Sequence, residues 1–130
     1  MKNNTVFDAF DKGILLNQSN KLDLTKSDWN TIPNLKGVHL KDILISSETQ
    51  GAISCHLVKI EPNCKIDLHT HPDHLEIHEV IQGAGHCILN TESHEYNCGT
   101  VSILPKNLKH EVIAGDKGLY LFAKFIPAIK

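Results

Sequence analysis

From Lys36 onward the chain is cut into short apolar runs, and that punctuation decides what it can fold into. The segments "GVHLKDILIS", "AISCHLVKIE", "CKIDLHTH", "LEIHEVIQG", "GHCILN", "TVSILP", "KHEVIAG" and "LYLFAKFI" are rich in Val, Ile and Leu, and Gly, Pro, Asn or Asp bound them. Each is the length of a β-strand. No helical periodicity lies between them, so the expected fold is all-β, a sandwich or small barrel. The sequence shows no internal repeat and no low-complexity stretch. Its 130 residues suit one domain.

The first 35 residues read differently. "VFDAFDKGILL" carries Phe7, Phe10, Ile14 and Leu15 at helix-like spacing, interrupted by Gly13. In "TKSDWNTIPN", Thr25 is placed to cap a short turn around Trp29, which Pro33 ends. Residues 1–35 are therefore expected to form an arm that lays its apolar side chains over the body, residues 36–130, or over a partner subunit. An arm with this many large apolar groups is too hydrophobic for a disordered tail, and pairing two barrels would cover both it and their outer faces, so a homodimer is expected.

Charge and cysteine usage narrow the partners. The net charge of −2 offers no basic field, so neither nucleic acid nor an anionic membrane surface is an expected partner. Asp8 and Asp11 interrupt any apolar signal core near the N-terminus. Cys55, Cys64, Cys87 and Cys98 show no C-x-x-C pairing and read as reduced thiols, which places the chain in the cytoplasm with a small-molecule partner.

The compositional anomaly is histidine. There are nine, and four of them lie in "HTHPDHLEIH", residues 69–78. His69 and His71 are two apart, so on a strand both face one side, as two ligands of one metal must. Parity on the next strand points Glu76, His78 and Val80 inward and Ile77, Glu79 and Ile81 outward. His74 falls in the turn between and reads as a solvated loop residue. In "AISCHLVKIE", Lys59 marks the water-facing set with Leu57 and Cys55, while Ser54, His56, Val58 and Ile60 face inward. A hydrogen-bonded core histidine is the plainer reading of His56, with a role in a pocket as the other.

The spacing around these residues resembles the two motifs of the cupin superfamily. The first is a glycine, five residues, H-x-H, three or four residues, Glu, six residues and Gly; here Asn63, His69, His71, Glu76 and Gly83 hold those places. The second is a glycine, five residues, P-x-G, two residues, His, three residues and Asn; here Gly99, Pro105, Asn107, His110 and Ala114 hold them. Fifteen residues separate Gly83 from Gly99, similar to the compact spacing of small single-domain cupins. Asparagine stands for glycine at Asn63 and Asn107, and it tolerates the left-handed backbone those turns need. Ala114 departs from the family asparagine without removing a ligand.

The resemblance implies a double-stranded β-helix, or jelly-roll, barrel with a short N-terminal arm. It implies one divalent metal per chain, Fe, Mn, Ni, Co or Zn, held by His69, His71, Glu76 and His110. It further implies an enzyme of the dioxygenase, isomerase or lyase type, in which His78 and His56 would be candidates for proton transfer or for orienting the substrate. The alternative is a non-catalytic binding or sensing module.

Overall fold

The computed structural model describes residues 5–130. After a helix α1 (Val6–Asp11) and a small hairpin of β1 (Ile14–Leu16) and β2 (Lys21–Asp23), the chain enters its main body at β3 (Asn30–Ile32). There follow β4 (Leu35–Leu44), a helical turn α2 (Ser46–Thr49), β5 (Ser54–Ile60), β6 (Lys65–His69), β7 (Leu75–Leu89), β8 (Glu92–Asn97), β9 (Val101–Leu104) and β10 (His110–Ile126). The strands pair in the order β3-β4-β5-β10-β7-β8, with β6 added to β10 and β9 added to β7. The pairings are antiparallel, and the body is the expected jelly-roll barrel.

Two long strands replace four expected short ones. "LEIHEVIQG" and "GHCILN" form the single strand β7, and "KHEVIAG" and "LYLFAKFI" form β10. Glycines that look like breaks are bends instead. The β7–β10 register shifts between Ala114 and Leu119, where Gly83 faces Leu119. Gly83 has φ +80°, and a Cβ there would sit 2.2 Å from the Gly118 carbonyl oxygen. The two backbones touch at this corner, so only glycine fits. The short strands β1 to β3 of the first 35 residues are absent from the sequence reading, and within residues 36–130 so is β8. Its residues are polar and exposed apart from Tyr96, so neither apolar alternation nor β-branching marks it.

The inner faces close a core that includes Val58, Ile60, Val80, Val112, Leu119 and Leu121, each 4% exposed or less. Burying each such side chain contributes about 1.5–3 kcal/mol.

The outer face of β5 and β10 carries the arm. Helix α1 is capped by the Thr5 hydroxyl, which accepts from the Asp8 N–H at 3.1 Å. It ends at Asp11, short of the expected run, and Ile14–Leu16 pair as strand β1. Phe7 meets Tyr120 edge-on at 4.8 Å and Phe10 meets Phe122 at 5.3 Å. Lys41, 2% exposed, donates to the Asp11 carbonyl at 2.7 Å and to its carboxylate at 2.6 Å. The Trp29 indole N–H donates to the same carboxylate at 3.0 Å. An unpaired buried ammonium is strongly unfavourable, so this pair pins the arm to its own barrel.

The arm corrects two sequence readings. Leu57 and Cys55, expected to face water, are 0% and 7% exposed, because Leu57 lies between Lys41 and Phe122, both engaged by the arm. The short turn in this region is a 3-10 helix over Leu24–Lys26, capped by Asp23 rather than Thr25. The Asp23 carboxylate accepts from both the N–H and the hydroxyl of Thr25, and Trp29 lies outside the turn, packed on Phe7. Pro33 belongs to the tight β3–β4 turn with Asn34, whose φ is +66°.

Gly83→Ala and Gly51→Ala separate backbone handedness from contact. Both glycines have φ +80°, but nothing lies within 4 Å of a Cβ at Gly51. The left-handed cost of about 1–2 kcal/mol is common to both. Melting followed by circular dichroism should show a modest loss for Gly51→Ala and a far larger one for Gly83→Ala. Equal melting temperatures would remove the steric argument for the corner.

Candidate metal centre

Three elements deliver the cluster. His69 ends β6 and His71 follows in the connection; Glu76 is the second residue of β7; His110 opens β10 and lies opposite His69 in the strand register. The ligand atoms of His69, His71, Glu76 and His110 all lie within 4.8 Å of one another, and the group could hold a metal ion. The second-motif turn places one of them, since the Asn107 N–H, with Asn107 at φ +68°, donates to the His71 carbonyl at 3.1 Å. Asn63, at φ +62°, closes the equivalent turn before β6, its N–H donating to the Gly115 carbonyl at 3.0 Å. Pro105 accepts from the Leu108 N–H at 3.2 Å and Gly99 donates to the Val80 carbonyl at 2.8 Å, so the remaining motif positions shape loops rather than line the site.

Hydrogen bonds fix which nitrogen two of the three rings present. His69 Nδ1–H donates to the Asp67 carbonyl at 2.7 Å, and His110 Nδ1–H donates to the Leu108 carbonyl at 2.9 Å. Carbonyls only accept, so in the neutral rings both Nε2 atoms carry lone pairs. Burial pushes His69 and His71 below the ordinary imidazole range, which favours the neutral form a metal needs.

Glu76 is 5% exposed. Burial would raise its pKa, but the surrounding histidines outweigh burial and hold it well below the usual carboxylate range. His78 supports it from behind. The Tyr96 hydroxyl donates to His78 Nδ1 at 2.9 Å, and His78 Nε2–H donates to Glu76 Oε2 at 2.9 Å. Burial keeps the Tyr96 phenol protonated, its pKa pushed far above the usual value.

The other carboxylate oxygen tests whether a metal fits. Glu76 Oε1 and His110 Nε2 are 3.2 Å apart, yet both are buried without a hydrogen-bond partner. A lone pair facing a carboxylate is repulsive unless a cation sits between them. Burial alone would lower the His110 pKa, and the facing carboxylate raises it, so the site draws in a proton when nothing else is there. Three imidazole nitrogens and one carboxylate oxygen equally suit a borderline divalent ion. The residues present fit the group.

The two proton-transfer candidates lie elsewhere in the hydrogen-bond network. His56, fully buried, donates from Nδ1 to Asp42 at 2.8 Å and accepts at Nε2 from the Ser54 hydroxyl at 2.9 Å. His78 is engaged at both nitrogens as described. Neither ring has a free nitrogen to offer a substrate. His74 is half-buried rather than solvated, because its Nδ1–H donates to the Pro127 carbonyl at 2.8 Å and ties the turn to the C-terminal segment. Glu79 points away from the cluster and pairs with Lys124 at 2.6 Å. Sequence reasoning missed Tyr96, whose one signal is an aromatic residue in an otherwise polar run.

Residues 56–123 match the cupin domain family. The chain belongs to that family. Among solved structures, this cupin is similar to a predicted oxalate decarboxylase from Thermotoga maritima, at 20% identity and TM-score 0.73 over 79% of this chain and 95% of that one. It is also similar to KdgF from Halomonas sp., at 22% identity and TM-score 0.69 over 77% and 86% of the two chains. Ectoine synthase from P. lautus aligns at 20% identity and TM-score 0.64 over 72% and 67%. At these identities the likeness shows the fold alone. Comparison with curated proteins finds no match. Among the described residues, no helix is long and apolar enough to cross a membrane.

Substitutions should sort by these roles. His110→Ala, His71→Ala and Glu76→Gln should each sharply lower metal content measured by elemental analysis, whereas His74→Ala and Glu79→Gln should keep it. Metal content in His110→Ala equal to that of the unaltered protein would reject the centre.

Proposed function

We propose that this cupin is a metal-dependent enzyme acting on a small organic molecule, of the dioxygenase, isomerase or lyase type, with Fe, Mn, Ni, Co or Zn at the cluster. One observation carries the reading: His69, His71 and Glu76 stand in the wall of a pocket of about 440 Å³. That volume is in the range of small-molecule sites. A bound divalent ion supplies Lewis acidity and open coordination positions there. The chain's own residues do the rest. His69 and His110 present preset lone pairs, Tyr96 and His78 hold Glu76 ionised and oriented, and the apolar wall keeps bulk water from the headgroup of a bound molecule. The same proposal places the protein in the cytoplasm, where its four free cysteines stay reduced.

A second reading has a specific observation in its favour. His56 and His78 are both fully engaged, so the pocket wall offers no free imidazole as an acid or base. That arrangement suits a binding or sensing module. Protein purified anaerobically, assayed for metal and then screened for oxygen uptake and product formation with diketones, catechols and small acids, separates the two. Metal-dependent turnover that Glu76→Gln abolishes is expected. Tight binding with no turnover across the series would sink the enzyme and leave the sensor.

The proposal includes a two-fold dimer. On the outer face of β9, Ile103, 63% exposed, lies opposite Ile77, and Val101, 62% exposed, lies opposite the Glu79–Lys124 pair, an apolar patch with a charged margin that a second copy would cover. Light scattering at micromolar concentration should give twice the chain mass, and Ile103→Lys should shift it toward one chain. A single-chain mass for the unaltered protein would end the dimer.

A further inference from the structure

The pocket around the cluster has an uneven distribution of polarity. Its apolar wall is built by Ile32, Leu35 and Leu40 from β3 and β4 and by Val58 and Leu121 from β5 and β10, with Phe125 packed edge-on against His71. The two buried histidines that line it outside the ligand set are already committed. His56 is held by Asp42 and Ser54, and His78 by Tyr96 and Glu76. At the exposed end, Lys130 lies 3.5 Å from Asp42 and Asp67 lies 3.5 Å from Lys65. Inside that solvent-exposed rim, among the described lining residues, this leaves the metal cluster as the place where a buried polar headgroup finds an unfilled partner.

Charge sets the sign of that headgroup. Three neutral imidazoles and one carboxylate carry −1, and a divalent ion brings the centre to +1 in apolar surroundings. A monoanionic oxygen donor neutralises it; a neutral molecule leaves the charge, and a dianion reverses it. Hydroxyl groups along the rest of the ligand would meet hydrocarbon and lose their water without replacement.

We propose that this pocket takes a small monocarboxylate or 2-oxo carboxylate with one oxygen-donor headgroup on an unbranched apolar body, and that it rejects polyhydroxylated acids. The inference rests on the cluster being a metal centre and names the ligand class of that same site. Leu40 and Ile129 are the specificity-determining contacts accessible to change without touching a ligand residue. Leu40 is a half-buried wall residue, and Ile129 is 38% exposed at the open end.

The test uses cobalt-loaded full-length protein with the metal content measured first. Calorimetric titration with straight-chain 2-oxo acids from pyruvate to 2-oxooctanoate should show affinity rising about fourfold per methylene until the pocket is full. Gluconate should bind more weakly than a 2-oxo acid of equal length, by on the order of tenfold for each buried unpaired hydroxyl. Binding should perturb the cobalt visible spectrum, which places the headgroup at the metal. Leu40→Asn should flatten the chain-length dependence with metal content unchanged, its fold checked by circular dichroism. Ile129→Asn at the rim serves the same purpose if Leu40→Asn does not fold. A flat series, or gluconate binding more tightly than the oxo acids, in protein that holds its metal would overturn the ligand class while leaving the metal centre standing. Protein that takes up no cobalt would overturn the metal centre and this proposal with it.

Discussion

An ionised carboxylate held out of water is the constraint on which the site depends. Transferring such a group into a protein interior costs several kcal/mol, and it persists there only when partners surround it. Glu76 has three imidazoles within reach of its oxygens: His78 at 2.9 Å on Oε2, and His110 and His71 at 3.2 Å and 3.6 Å on Oε1. One oxygen is satisfied by a donated proton and the other is not. The side that is satisfied faces a relay running back to Tyr96 in the core. The side that is not faces the pocket, and that asymmetry turns a buried acid into a place for a cation.

The barrel's topology brings these groups together. Strand β7 carries Glu76 and His78 on its inner face, and its far half pairs with β8, which returns Tyr96 beneath them. Strand β10 starts with His110 opposite His69 and runs on to Phe125 in the pocket wall. Each long strand must change direction midway to serve both sheets. Gly83 makes that possible by letting its backbone meet that of Gly118 where any side chain would collide, and Gly118 itself turns at φ +80°. Outside, the Lys41–Asp11 pair and two aromatic contacts hold the arm across β5 and β10, so the sheet that forms the pocket's floor is covered on its far side.

Much of this was legible in the residues. Strand-length apolar runs gave the all-β class, and strand parity placed Glu76 and His78 on the inner face and Glu79 on the outer one. What parity could not reveal is what lies over the outward set. Leu57 and Cys55 alternate with inward residues as solvent-facing residues do, yet both are buried, Leu57 beside Lys41 and Phe122, which a distant segment engages. Nor could local pattern reveal β8, since a strand whose exposed residues are Glu, Ser and His resembles a loop. The engagement of His56 Nδ1 is likewise a property of Asp42 on the neighbouring strand β4. These are tertiary facts, set by partners remote in the chain.

The pocket is encoded in two places. The residues that could hold a metal ion come from the middle and later part of the chain, between His69 and His110, whereas three aliphatic side chains of the same pocket come from the β3–β4 hairpin, Ile32 to Leu40. Few demands tie the two stretches together beyond shape. Drift in the hairpin can therefore reshape the pocket without disturbing the four donor atoms, and loss of a histidine among those donors leaves the buried Glu76 carboxylate stranded. A fold divided in this way can diversify in ligand while remaining conservative in chemistry, with its early residues serving as the variable half.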